Sequence, residues 1–523
     1  MGPKSVGTWP GDRRRLALTF IALIVSSPAL AVFAATTLEI ADIVPPKPLR
    51  EFRGAWIATI ANLDWPSRKA ESSVEQKAEL LGLLDRAAQL KLNTVIFQVR
   101  PCCDAFYTSR LEPWSEYLTG TMGKEPLPFY DPLTFAIEEA HKRGLELHAW
   151  FNPFRVRNSF SRSAPAGNHV TKTHPNWVRH YGNQLWLDPG EPEAQKYSLD
   201  VVMDVVRRYD IDGVHFDDYF YPYPAKDRVG NYLEFPDYSS WKKFGAAGRL
   251  SRDDWRRENV NGFIRQVYES IKAIKPWIKF GISPFGIWRP AIPAGIDPHA
   301  LDAYGRLYAD SRKWLMNGWL DYFAPQLYWP IQPSQHSFAS LLEWWAKQNL
   351  KGRHLVPGLD STKTQNNWST QEIINQIRVA RQENGVSGHI HWNLKTLKVN
   401  AALAGGLANS VYLQPALVPP TTWQGPPQAV RPRLIIERLP SREQSVKTPA
   451  HPAIMPLRVH WETSATGKPW LWLLQTRTNG QWTTEILAEP ERSRVWNQPP
   501  EVIALSGVDR NGNTSDPVVM KTR

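Results

Sequence analysis

Between Gly213 and Pro224 the chain reads G-V-H-F-D-D-Y-F-Y-P-Y-P. An apolar start gives way to two adjacent carboxylates, then to four aromatics and two prolines. Asp and Pro are poor strand residues, so a strand ending on Asp217 and Asp218 presents them instead of packing them. Two carboxylates this close cannot both ionise cheaply. One is expected to keep its proton and act as a donor, while the other stays charged. An Asp after a strand also commonly caps the following turn, a role that competes for Asp218 more than for Asp217. Side chains alternate along a strand, so Asp217 shares a face with His215 and Gly213, and Val214 and Phe216 face the other way.

Eight short apolar runs, separated by helical patterns, give the frame for these residues. They fall at 52–60, 93–100, 145–152, 212–218, 279–285, 321–328, 354–359 and 388–393. Between them lie amphipathic stretches such as D-P-L-T-F-A-I-E-E-A-H-K-R-G, with an Asp N-cap, Pro132 in the first turn and Gly144 as C-cap. Strand and helix alternate eight times over residues 50–414, which predicts an α/β fold of the (β/α)8 TIM-barrel kind. A doubly wound open sheet is the alternative, but no Gly-rich phosphate loop follows the first strand.

In such a barrel the strand C-termini build the site. Here those ends carry Arg100, Asn152, Asp217, Asp218, Gln326, Tyr328, Asp360 and Trp392. Asp217 and Asp218 are read as catalytic. Arg100, Asp104, Asn152, His215, Tyr219, Gln326, Tyr328 and Trp392 are read as substrate-binding. Trp56, Trp114, Trp150, Trp288 and Trp392 are stacking candidates. The set suits proton transfer and hydrogen bonding to hydroxyls, and it predicts neither metal nor cofactor. With 24 Trp, 17 Tyr and 19 Phe, the chain has aromatic surface to spare for flat, partly apolar rings such as sugars.

The rest of the chain sets the context. Arg13 to Arg15, the apolar run L-A-L-T-F-I-A-L-I-V and then S-S-P-A-L-A-V-F-A-A follow the order of a secretory signal. Residues 1–34 are therefore expected to be removed on export to a periplasmic or secreted location, with 35–49 as a connector. No other apolar stretch is long enough for a membrane helix. The net charge of +12 is spread thinly, without a nucleic-acid motif, and fits attraction to a polyanion. The only cysteines, Cys102 and Cys103, are neighbours too close for an unstrained disulfide, and free thiols are expected. Residues 415–433 are Pro-rich and read as a stiff linker. Alternating runs over 434–523 predict a small all-β sandwich of fibronectin type III kind.

Longer motifs now add a resemblance. E-F-R-G-A-W-I-A-T-I-A-N-L-D-W-P-S, F-Q-V-R-P-C-C-D-A-F-Y, E-E-A-H-K-R-G-L-E-L-H-A-W-F-N-P-F-R, G-V-H-F-D-D-Y-F-Y-P-Y and F-G-I-S-P-F-G-I-W-R are similar to those of the glycosyl-hydrolase-like family ten. The resemblance covers about residues 50 to 410. It implies hydrolysis of glycosidic bonds, and for bacterial envelope members a polysaccharide substrate, peptidoglycan strands lacking peptide stems. G-V-H-F-D resembles the amylase-type fourth strand with Asp217 at the nucleophile, but the fifth-strand Glu of that group is missing. The proton donor is then sought among Asp218, Glu234, Asp104, Glu112 and Asp360. D-G-V-H-F-D-D-Y also resembles the chitinase-type motif, with Tyr219 at the acid. Two other functions stay open: hydrolysis of an exopolysaccharide or α-glucan, and an inactive carbohydrate-binding barrel.

Overall fold

The structure, a computed structural model, describes residues 42–332, 335–439, 455–463 and 467–522. The expected export signal lies outside the described residues, as does the connector up to residue 41. Eight parallel strands curl into the expected barrel. They are β1 (Phe52–Ile57), β2 (Thr94–Arg100), β3 (Glu146–Phe151), β4 (Gly213–Phe216), β5 (Lys279–Ile282), β6 (Tyr322–Phe323), β7 (His354–Leu355, resumed at Gly358–Asp360) and β8 (Gly388–Trp392). Neighbours pair in order, and β8 returns to β1 with Gly388 opposite Phe52. Pro357 has no N–H to give to a ladder, and β7 breaks there. Its first half pairs with β6 and its second with β8.

Helices cover the outside, and their starts follow the local chemistry. Ser72 and Glu75 form a reciprocal capping box on Ser73–Gln89. Asp131 caps Pro132–Lys142, with the proline in the first turn. Between β3 and β4 the chain makes an excursion that raises a wall over the barrel mouth. It is a three-stranded antiparallel sheet of Arg155–Arg157, Val178–Tyr181 and Gln184–Leu187.

The barrel interior is unusually polar. Trp56 Nε1 donates to His215 Nε2 at 3.1 Å. The Tyr322 hydroxyl lies 2.9 Å from Nδ1 of both His215 and His148. His148 Nε2 is 3.1 Å from Glu146 Oε2, and Lys279 Nζ donates to the other oxygen at 2.8 Å. These rings fit because their neighbours on β4 and β5 are glycines. A Cβ on Gly213 would come within 2.5 Å of the His148 ring, and one on Gly281 within 1.9 Å of the Tyr322 ring.

Beyond the barrel, two antiparallel sheets pack around Trp461 and Trp472. One orders Arg433–Arg438, Leu457–Glu462 and Ser493–Trp496; the other orders Gln481–Ala488, Leu471–Thr478, Val502–Val508 and Val518–Lys521. The Pro-rich stretch expected as a stiff linker is docked over its first ten residues. Asn93 Nδ2 donates to Ala416 O at 3.0 Å. Trp423 Nε1 and Gln424 Nε2 both donate to Asp321 Oδ1 at 2.8 Å. Asp321 is fully buried, and a buried carboxylate needs such partners. The sheets then seat on the barrel through Arg510, which donates to Asp212 Oδ1 at 2.8 Å and Asp210 Oδ2 at 2.7 Å. Its guanidinium also covers the Trp470 ring at 4.6 Å, and Trp470 meets His141 edge-on at 4.4 Å.

All these contacts lie at the N-terminal ends of the strands, opposite Asp217. Arg510→Ala should therefore cost about 2–3 kcal/mol of stability by leaving Asp212 short of a charged partner. Thermal melts followed by circular dichroism should show Tm a few degrees lower, with turnover unaffected. An unchanged Tm would mean that the sandwich is not held through Arg510.

Candidate active site

A cleft of about 600 Å³ opens at the C-terminal ends of the strands. β1 supplies Trp56, β2 Gln98, β3 Trp150, β4 Asp217 and Asp218 just past its end, β5 Ser283, and β8 Trp392. The loop after β6 adds Gln326 and Tyr328, and the β3–β4 excursion adds Arg155, Asn158 and Gln184. Trp56 and Trp150 each meet Trp392 edge-to-face, at 6.1 and 6.2 Å. Together they make an apolar floor beside the two carboxylates, and among the described residues no other carboxylate lines the cleft.

Asp217 is held by a relay of amides that begins in the backbone. Thr59 N and Ile60 N donate to Gln98 Oε1 at 2.9 and 2.8 Å. That fixes the Gln98 amide so that Nε2 donates to Asn152 Oδ1 at 2.7 Å. Asn152 must then turn its own Nδ2 to Asp217 Oδ2, which it does at 2.5 Å. Trp150 Nε1 adds a donor at 3.2 Å, and Tyr219 N donates to Oδ1 at 3.2 Å.

Asp218 accepts a short hydrogen bond from the Tyr223 hydroxyl. Burial, followed by the charge of Asp217, pushes its carboxyl up to about 7. Burial also raises Asp217, but Arg155 and the three N–H donors oppose the rise. The pair thus carries one charge, and the bonding places it on Asp217 and the proton on Asp218.

The structure distributes the sequence candidates unevenly. Asp217, Asp218, Tyr219, Gln326, Tyr328 and Trp392 line the cleft, and Asn152 lies directly beneath. His215 shares the inward face of β4 as expected, but it sits one layer down and is fully buried. Its ring is occupied by Trp56, Tyr322 and Ser283, whose Oγ is 3.0 Å from Nε2, and burial holds it neutral.

Arg100 does not reach the cleft. The β2–β3 register shifts between Gln98 and Arg100, and such a bulge re-aims the side chain that follows. Arg100 instead grips Glu112 with Nε at 2.9 Å and Nη2 at 2.5 Å. Asp104 is buried away from the cleft, accepting from Cys102 N at 2.8 Å. Of the other acid candidates, Glu112 is taken by Arg100, Glu234 pairs with Arg256 on the surface at 2.6 Å, and Asp360 caps Thr362. Trp114 packs edge-on against Phe129, and Trp288 stacks on Trp344.

Cys102 and Cys103 are free and buried, and burial pushes both thiols up. Among the described residues no group of three or more His, Cys, Asp or Glu is placed to hold a metal. No helix among them is long and apolar enough to cross a membrane. Gln98, Arg155, Ser283 and Tyr223 were not singled out from sequence. Gln98 had a signal, a lone amide inside the apolar run T-V-I-F-Q-V.

A parallel barrel with an aromatic floor and a proton-sharing carboxylate pair at the end of its fourth strand defines a glycosidase-type site. Residues 51–373 match the family model described as Glycosyl hydrolase-like 10. Glycosyl hydrolase YngK of Bacillus subtilis (strain 168) is 44% identical over 397 residues, 74% of this chain and 76% of that protein. Glycosyl hydrolase DigH of Escherichia coli (strain K12) is 41% identical over 315 residues, 56% of this chain and 69% of that one. Among solved structures, the PgaB (BpsB) glycoside hydrolase domain from Bordetella bronchiseptica has a TM-score of 0.45 at 13% identity, covering 69% of this chain and 98% of that chain. The chain belongs to the glycosyl hydrolase-like family 10 and is a glycoside hydrolase.

The charge assignment has a consequence for stability. Folded, Asp218 keeps its proton to about pH 7, whereas its ordinary value is 3.8. The native chain therefore binds the extra proton between those values, and the contribution of Asp218 to stability falls as pH rises from about 4 to 7. Asp218→Asn has no proton to lose. Its Tm advantage over wild type should grow across that window and level off above it. A gap that does not change with pH would place the proton elsewhere.

Proposed function

We propose that this enzyme hydrolyses cell-wall glycan, with peptidoglycan strands lacking peptide stems as its substrate, after export to the periplasm or medium. The observation that carries the chemistry is the asymmetry of the carboxylate pair. Asp218 holds a transferable proton near neutral pH, and Asp217 holds a charge fixed by Asn152, Trp150 and the Tyr219 backbone. A pyranose on the floor of Trp56, Trp150 and Trp392 would lie against both. Asp218 then protonates the leaving oxygen, and Asp217 faces the positive charge that develops at the anomeric carbon. In the chitinase-like alternative, Asp217 does so by orienting the substrate's own acetamido group.

The substrate reading draws on the family resemblance and on the net positive charge, +12 over the full sequence, which favours an anionic polymer. Asn158, Gln184 and Gln326 line the cleft, and their amides match hydroxyl and acetamido groups. In this reading residues 434–523 are a fibronectin type III-like sandwich that supports the barrel from below.

The test is product analysis on amidase-stripped strands, intact sacculi and amylose. Stripped strands are expected to be cleaved fastest. Release of products from amylose alone would overturn the substrate assignment. Asp217→Asn should lower kcat by roughly a thousandfold or more while glycan binding and folding persist. Asp218→Asn should lose the alkaline limb near pH 7, with the largest deficit on poor leaving groups. Wild-type turnover in Asp217→Asn would remove β4 from the chemistry.

A further inference from the structure

Among the described residues, five arginines are buried to less than a tenth of their exposed area. Four have a carboxylate: Arg53 pairs with Glu51, Arg100 with Glu112, Arg256 with Asp237 and Arg257 with Asp254. The fifth, Arg155, is 5% exposed and lines the cleft. No carboxylate among the described residues lies within salt-bridge distance of it. Its one protein acceptor is Pro101 O at 3.5 Å, at the limit of a hydrogen bond.

Packing nonetheless fixes its guanidinium. It lies over the Tyr219 ring at 4.1 Å and beside Trp186 at 5.9 Å, and Arg155 pairs with Trp186 across the excursion sheet. Stacking by its face leaves the N–H edge free, which is the geometry that takes a carboxylate in two parallel bonds. A buried charge without a partner is costly. Asp217 offsets part of that cost through space, but its two oxygens are already engaged by Asn152, Trp150 and Tyr219. The other residues that the excursion contributes to this wall, Asn158, Ser159, Phe160 and Gln184, carry no negative charge.

We propose that Arg155 recognises a carboxylate carried by the bound sugar. Taking the wall-glycan reading above, that group is the lactyl carboxylate of a muramic acid. It is free only where the peptide stem has been removed, because the stem is joined to it as an amide. Arg155 is then the residue through which the cleft prefers stripped strands over stem-bearing ones. The preference comes from a charge that only stripped strands offer, as well as from the bulk of the stem.

The experiment compares stripped strands with the same strands after carbodiimide capping of the lactyl carboxylates with methylamine. The backbone is identical and only the charge and one methylamide differ. Wild type should favour the free acid in kcat/KM by roughly ten- to a hundredfold, the range for a desolvated charged hydrogen bond, chiefly through KM. In Arg155→Met the ratio should fall towards one, and Arg155→Lys should recover part of it. Equal losses on both substrates in Arg155→Met would overturn the proposal and leave Arg155 as support for Asp217 or the cleft wall. If Arg155→Met does not fold, the wild-type ratio decides, and a value of one overturns the proposal. Failure of wild type to cleave any wall glycan would instead remove the substrate reading, and this inference with it.

Discussion

Burying Asp217 and Asp218 side by side forces the pair to hold one proton near neutral pH, and the surrounding bonds decide which residue has it. Among the described residues no cation forms a salt bridge with Asp217, and Arg155 acts on it only through space. Its hydrogen bonds come from dipoles, traced back through Asn152 and Gln98 to two backbone N–H groups after β1. Amides fixed in this way cannot reverse, because flipping Asn152 would set its oxygen against the Asp217 carboxylate and its NH2 against the NH2 of Gln98. A salt bridge in their place would have lowered both carboxyls together and removed the proton donor. Dipolar support therefore preserves the difference between two adjacent, otherwise equivalent groups.

The same demand for satisfied polar groups runs down the barrel axis. Trp56 can stand in the floor because His215 accepts its N–H. His215 is in turn tied to Tyr322, His148, Glu146 and Lys279. A chain of this kind ends in charges at the lower mouth, where water would otherwise compete for them. The segment from Ala416 to Gln424 and then Arg510 close that end. The sandwich thus closes the lower mouth of the barrel, at the end opposite the site.

Much of the barrel was legible because strand identity rests on local facts: short, buried runs rich in aliphatic and aromatic residues between capped helices. Asp217 was legible for the same reason, since alternation on β4 is undisturbed. Arg100 was misplaced because a bulge is a property of two strands together, and β2 alone gives no sign of the shift at Val99. His215 lay on the right face but at the wrong depth, since layering inside a barrel depends on all eight registers. Residues 415–433 read as a spacer from their prolines, but the pull of buried Asp321 on Trp423 and Gln424 is a tertiary effect. Arg155 comes from an excursion whose pairing with residues 184–187 is invisible from its own sequence.

The missing fifth-strand acid takes its meaning from this geometry. Ser283 directly follows β5, its hydroxyl is turned to His215, and no carboxylate from that strand lines the cleft. With the acid on a separate strand, its pKa would be set by separation from the charged partner. With Asp218 next to Asp217, separation cannot be adjusted, and the difference must come from unequal hydrogen bonding. That explains why three donors converge on Asp217 while Asp218 accepts chiefly from Tyr223. The aromatic run after the pair is therefore part of the proton donor. Tyr223 reaches back over the turn formed by Tyr219 to Pro222, and the prolines at 222 and 224 flank it. The stretch from Gly213 to Pro224 is thus a single unit that carries two carboxylates to the mouth and then bends to hold one of them.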